Sequence, residues 1–202
     1  MNSDAVRKLF ETRILPAFQI EYQAMENPAF FIDEDSQDID GSGSPGLVGV
    51  TAGACNQDDF LVIFALAHET AHGVVYLEYR DQGRHCPNAA GYGRKKHEAC
   101  ADLIATRVLI SQAPDLWAQV NANLDRMPSI LGIATDSHPS GTRRVQMIKS
   151  FVAGYNRASV PSSPGFFSSL FCCFGKGSLS THDAQQKAFD KVFKEIDKSI
   201  NL

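Results

Sequence analysis

The chain contains no CxxC pair, and its cysteines, five in number, are Cys55, Cys86, Cys100, Cys172 and Cys173. An odd count without paired spacing argues against a disulfide scaffold and against a cysteine-rich zinc finger, so the thiols read as reduced. Basic charge is also short: 19 Lys and Arg stand against 23 Asp and Glu, a formal net charge of -4. Proteins that grip a phosphate backbone are normally basic, so no nucleic-acid partner is expected. There is no long hydrophobic run. The longest, Phe60 to Ala67, falls far below the roughly 20 residues of a membrane-spanning helix. The opening residues, MNSDAVRKLFETR, lack the apolar centre of a secretory signal. The expected location is the cytoplasm, or a destination reached without a cleaved signal. What is present is ordinary globular composition, 202 residues with 44% hydrophobic and 21% charged, enough for one good-sized core.

Periodicity divides the chain into mostly helical segments. Val6, Leu9, Phe10 and Ile14 recur at helical spacing, predicting a helix over residues 4–26 with Pro16 as a kink. Residues 33–46 read as a loop, crowded with Asp33, Glu34, Asp35, Asp38 and Asp40 and then running GSGSPG. Leu47 to Thr51 is a short strand. A strong helix is expected from Asp58 to Arg80, capped by Asn56 or Asp58, with further helices over 94–112, 114–127 and 142–155. Residues 81–93 and 128–141 read as irregular. From Ala158 the composition turns to Ser, Gly and Pro around GFFSSLFCCFG. An amphipathic helix over 181–200 then carries Phe189, Val192, Phe193 and Ile196 on its apolar side. The fold class expected is α+β, mostly α, with a small sheet: a main domain over 1–157, then a Ser/Gly/Phe/Cys-rich segment and C-terminal helix over 158–202.

The chemistry concentrates in His68-Glu69-Thr70-Ala71-His72, an HExxH pattern. Histidines at i and i+4 share one helix face, so two imidazoles can meet one metal ion, with Glu69 beside them to take a proton from metal-bound water. The preceding run, FLVIFALA, places this helix in a core, where unpartnered His and Glu would be costly. A catalytic zinc needs a third protein ligand and an open position. Glu98 and Asp102 are again i and i+4 on a predicted core helix. Glu98 is the expected third ligand, and Asp102 the carboxylate that holds a ligand histidine by its other ring nitrogen. His97 and His85 are rival ligands. A third element, Ser137 to Val145, sets His138 before a helix and Arg144 inside it, where either can meet a substrate carbonyl or order the site.

HETAH, then EACAD, then HPSGTRRV together resemble the zinc metallopeptidase family of the CAAX prenyl endopeptidases and HtpX-type proteases, which reads HExxH, ExxxD and HPxxxxR in this order. GLVGVTAG, Gly46 to Gly53, resembles that family's edge strand ahead of the active-site helix. The similarity covers about residues 27 to 150. It implies a zincin-like fold and a gluzincin site: one zinc ion held by His68, His72 and Glu98, with Glu69 as general base. Asp102 would support a ligand, and His138 and Arg144 would order the site or support the transition state. Many relatives have membrane helices, which this chain lacks. A second resemblance is to small soluble gluzincins of the phage-repressor-cleaving type; the HP…R element favours the first family.

The expected function is therefore a zinc-dependent endopeptidase acting on a protein or peptide. Its substrate would add to the sheet along Leu47, Val48, Gly49, Val50 and Thr51. His138, Arg144, Tyr76 and Tyr92 are the candidates to support the oxyanion. The alternative is an adaptor or binding module, a secreted bacterial effector among the options, with a latent or structural zinc site that His85, Cys86 or Cys100 would close. A third option is a protease held shut by residues 158–202. Cys172 and Cys173, set among aromatic residues, suit either core packing or acylation with peripheral membrane contact.

Overall fold

The computed structural model describes residues 1–86, 93–159 and 181–198. It begins with α1 (Ser3–Leu9), capped by Asn2, whose side-chain oxygen accepts the Ala5 N–H at 2.9 Å. A π-helical turn, Phe10–Ile14, leads directly into α2 (Leu15–Glu21). Pro16 lies at the start of α2. Proline has no N–H to offer the carbonyl four residues back and its ring crowds that carbonyl, so the widened turn ahead of it replaces the expected kink. The rod ends at Tyr22, at φ -123° and ψ 78°, short of the predicted residue 26.

The sheet has three strands, β1 (Ala29–Asp33), β2 (Gly41–Ser44) and β3 (Leu47–Thr51), in the order β1-β3-β2. β1 pairs with β3 in parallel, Ala29 opposite Leu47 and Asp33 opposite Thr51. β2 pairs with β3 antiparallel, Gly41 opposite Val50 and Ser44 opposite Leu47. Two expectations are corrected here. The stretch 33–46 is not all loop, because GSGS forms β2. Pro45 and Gly46, the latter at φ +80°, turn the chain into β3, as Pro then Gly do at the centre of a type II turn. And Leu47, Val48, Gly49, Val50 and Thr51 are the central strand, not an edge. With neighbours on both sides, their backbone groups are committed to β1 and β2 and cannot receive a substrate strand.

β2 is made of glycine and serine because it lies against the helix that follows. A Cβ on Gly41 would come 2.6 Å from Glu69 Oε1, and one on Gly43 would overlap the Glu69 backbone carbonyl. That helix, α4 (Asp59–His72), comes after the short α3 (Ala52–Cys55) and buries nearly all of its length. Asp58 stands at its N-cap position, but its carboxylate pairs with Arg126 rather than with a helix N–H. After His72 the chain breaks at Gly73 and Val74, and α5 (Val75–Asp81) departs at 52°.

The centre of the molecule is α6 (Gly93–Gln112), whose residues 98–109 are all buried. α4, α2, α5 and α7 (Pro114–Asn121) pack around it, together with α9 (Gly141–Ser159) and α10 (Thr181–Lys198). A 3-10 turn, Leu124–Arg126, and α8 (Met127–Leu131) join α7 to α9, so part of the stretch expected to be irregular is helical. α10 completes the core. Phe189 lies edge-on to Phe151 with ring centres 5.9 Å apart, and Phe193 packs on Tyr79 at 4.9 Å. Phe189, Phe193 and Ile196 of α10 thus belong to the same core as the residues before 158. Cys172 and Cys173 lie outside the described residues. Among the described residues no single helix is long and apolar enough to cross a membrane.

Two substitutions test this packing. Phe189→Ala should cost about 3–5 kcal/mol, the usual loss for a buried aromatic. Gly43→Ala should cost about 1–3 kcal/mol, because β2 must lift from α4. Urea unfolding monitored by circular dichroism measures both, and an unchanged midpoint in either variant would contradict the corresponding contact.

Candidate metal centre

His68 and His72 are one turn apart at the C-terminal end of α4, with ring centres 4.7 Å apart and Nε2 atoms 3.1 Å apart. α6 crosses beside them and brings Glu98 Oε2 to 3.1 Å from His68 Nε2 and 3.5 Å from His72 Nε2. The three donor atoms form a nearly equilateral triangle. Zinc bonds of about 2.0–2.1 Å in a tetrahedral arrangement place donors about 3.3 Å apart, which is the spacing found. Two imidazole nitrogens and a carboxylate oxygen crowded this closely must share a proton or a cation. The buried group His68, His72 and Glu98 could hold a metal ion.

The supporting residues are arranged as one hydrogen-bonded chain. His68 Nδ1–H donates to Asp102 Oδ1 at 2.8 Å, so the nitrogen left to give up its proton and bind a metal is Nε2. Asp102, 1% exposed, also accepts from Arg144 Nε and Nη2, both at 2.7 Å. Burial alone would raise the Asp102 pKa, but Arg144 and then His68 outweigh it and hold it at about 2. Burial likewise opposes charge on His68, yet the Asp102 carboxylate and the bonds to Asp102 and Glu98 push its pKa up to about 10. For Glu98 burial is again the opposing influence, and hydrogen bonds from His138, His68 and His72 draw its pKa far below the usual carboxylate range.

His138 sits in the loop before α9, 44% exposed, with Nε2 3.3 Å from Glu98 Oε2. Its Nδ1 accepts from the Ser137 hydroxyl at 2.8 Å, so the ring presents an Nε2–H toward the site. Arg144 is buried and committed to Asp102, which makes it a positioning residue. Glu69 lies beside the donors on α4, pressed by β2. Its pKa is raised by burial, against the opposing pull of His68 and His72.

The rival ligands stay outside the triangle. The His97 ring packs edge-on to His72 at 5.1 Å, and its buried Nε2 has no hydrogen-bond partner. Burial, then the nearness of His72, lowers its pKa to about 4. His85 is exposed, and Cys100 is buried 3.3 Å from the Tyr79 hydroxyl. Among the described residues neither these nor Cys86 joins the donor set. Tyr76 lies near Met25 and Gly73, away from the cleft, and Tyr92 falls outside the described residues.

One donor of the triangle, His68, reaches a cleft of about 250 Å³. His68, Glu69, His138 and Arg144 line its base, and Asp40 and Gly41 of the β2 side form one wall. Leu61, Phe64, Ile130 and Ile133 contribute apolar walls. None of these wall residues was legible as part of a site, because they come from separate segments that only the fold brings together. The signal for β2 was the Pro-Gly turn followed by a strand of matching length. Compared with family models, with curated proteins and with solved structures, the chain matches none.

Because His68 carries an extra proton when no cation is bound, metal binding must displace it. Zinc affinity should rise with pH up to about 10. Titration calorimetry in buffers of different ionisation enthalpy should show proton release on binding; none would contradict this site. His72→Ala should lose zinc at least tenfold in affinity, and Asp102→Asn should weaken it by about 10–100-fold through loss of ligand orientation.

Proposed function

We propose that this chain is a zinc-dependent endopeptidase with a zincin-like arrangement, in which Glu69 is the general base. The observation that carries the reading is the placement of Glu69 beside a buried His-His-Glu donor triangle, with Glu69 and His68 lining a cleft that also touches the outer strand at Gly41. A site built only to hold a structural ion has no use for that carboxylate. The order of HExxH, ExxxD and HPxxxxR, resembling the CAAX prenyl endopeptidases and HtpX-type proteases, supports the same reading. The lack of a membrane-length helix among the described residues sets it apart from many of them.

His68, His72 and Glu98 would hold the metal. When bound, zinc supplies a Lewis acid that polarises a carbonyl and makes water more acidic. β2, the outer strand beside Glu69, is where an extended peptide would add to the sheet through backbone hydrogen bonds. Glu69 accepts the proton of the attacking water and returns it to the leaving amide nitrogen, a role suited to a carboxylate made more basic by burial. His138, whose Nε2 lies 3.3 Å from Glu98, would turn that N–H from the carboxylate to the negative charge developing on the carbonyl oxygen. Arg144 keeps Asp102 ionised and Asp102 keeps His68 in its ligating tautomer.

The test compares new protein N-termini in a cell lysate treated with zinc-loaded wild type or with Glu69→Gln. Wild type alone should generate new termini, and turnover of a substrate so found should fall about 10²–10⁴-fold in the variant, the usual contribution of a general base. Equal zinc binding in both, with no wild-type-specific termini, would overturn the peptidase reading in favour of a binding module.

A further inference from the structure

The HExxH pattern gives no substrate preference, but the cleft beside it is lopsided. Leu61, Phe64 and Ala65 follow helical spacing on the same face of α4 as His68, and all line the cleft. Ile130 and Leu131 at the end of α8 face them across it. Its volume of about 250 Å³ is below the ~300–1,000 Å³ of pockets that enclose whole small-molecule ligands. It is suited to one large side chain. Its ionisable groups are gathered at the base and beside Gly41, where Asp40 and Glu69 stand against His68, His138 and Arg144, and the rest of the lining is mostly apolar.

The mouth carries two unusual residues. Ile133 is 86% exposed and Ile39 58% exposed, and both border this cleft. Large aliphatic side chains left in water gain burial only when something apolar lies against them. Ile133 is part of a closed loop that also holds His138. Gly141 N–H donates to Gly132 O at 2.9 Å at its base, and Thr135 N–H donates to His138 O at 3.0 Å within it. Gly132, at φ +77°, gives the backbone the bend that begins this loop.

We propose that this cleft is the specificity pocket of the enzyme. It takes a bulky apolar side chain of the substrate, at one position flanking the cleaved bond, with Ile133 and Ile39 closing over it. The inference rests on the peptidase reading for what the pocket selects, though the pocket can be tested by binding alone. Since Ile133 and His138 share one loop, a side chain seated under Ile133 also steadies the residue that faces the reacting carbonyl.

Zinc-loaded Glu69→Gln provides a protein that holds peptides without cutting them. Two blocked hexapeptide mixtures, identical except for Phe or Gly at the third and fourth positions, serve as probes. The Phe peptides should bind at least tenfold more tightly, the range a hydrophobic pocket supplies. Adding Ala65→Phe, which fills the cleft from α4, should abolish that preference. Ile133→Ser, on a side chain that stands in solvent, should reduce it severalfold with the melting temperature unchanged. Equal binding of the two probes, or a preference that survives Ala65→Phe, overturns the inference. In parallel, wild type is given a random peptide library. Cleavage that depends on Glu69 but shows no apolar enrichment beside the bond sinks the pocket and leaves the peptidase. Phe-selective binding that Ala65→Phe abolishes, without any cleavage, leaves the pocket and sinks the peptidase.

Discussion

The Asp102 carboxylate stands on α6, accepts from His68 on α4, and accepts twice from Arg144 on α9. Three helices are thereby locked to one ligand geometry. A buried carboxylate is tolerable only when paired, and removing a partner from such a pair typically costs about 3–5 kcal/mol. The same bonds that make the charge affordable to bury also choose which nitrogen of His68 faces the metal position. Stability and ligand chemistry are thus joined at one side chain. Any change that shifts α9 against α6 reaches the donor triangle through Arg144.

α6 repeats the device at its other end. Arg107 donates to the Tyr22 hydroxyl at 2.6 Å and pairs with Glu78 and Glu21, while its guanidinium lies 4.0 Å over the Phe189 ring. One buried arginine secures the metal end of the core, and the other secures the end where α2, α5 and α10 meet. Between them lie the apolar residues Leu103, Ile104 and Ala105, all buried. The central helix is therefore polar at two points and apolar between, which explains why it shows little amphipathic pattern although residues 98–109 are buried on every side.

That helix illustrates what sequence reading can reach. His68, Glu69 and His72 were legible because their chemistry and their spacing coincide on one element. Glu98 and Asp102 were legible as a pair on one face, and the structure brings both to His68. β2 was not, because Gly41 to Ser44 carry no alternation of their own. Their composition is dictated by Glu69, some 26 to 28 positions later, whose backbone and carboxylate leave no room for a Cβ. The status of β3 was misread for a related reason: a strand is central or outer according to what pairs with it, and its unnoticed neighbour was β2. His97 and Glu98 illustrate the finer limit. One residue of rotation on α6 puts the carboxylate among the donors and the imidazole against the His72 ring.

The position of α10 has a bearing on how the protein comes into being. A chain is made from its N-terminus, and the segments that emerge first begin to organise first. Every donor in the triangle, and the Asp102–Arg144 pair behind it, precedes residue 145, whereas Phe189 and Phe193 come later in the chain. The ligands are thus all made before Phe151 and Tyr79 receive their covering rings. In that interval an ion held by His68, His72 and Glu98 would join α4 to α6 in a core still partly open.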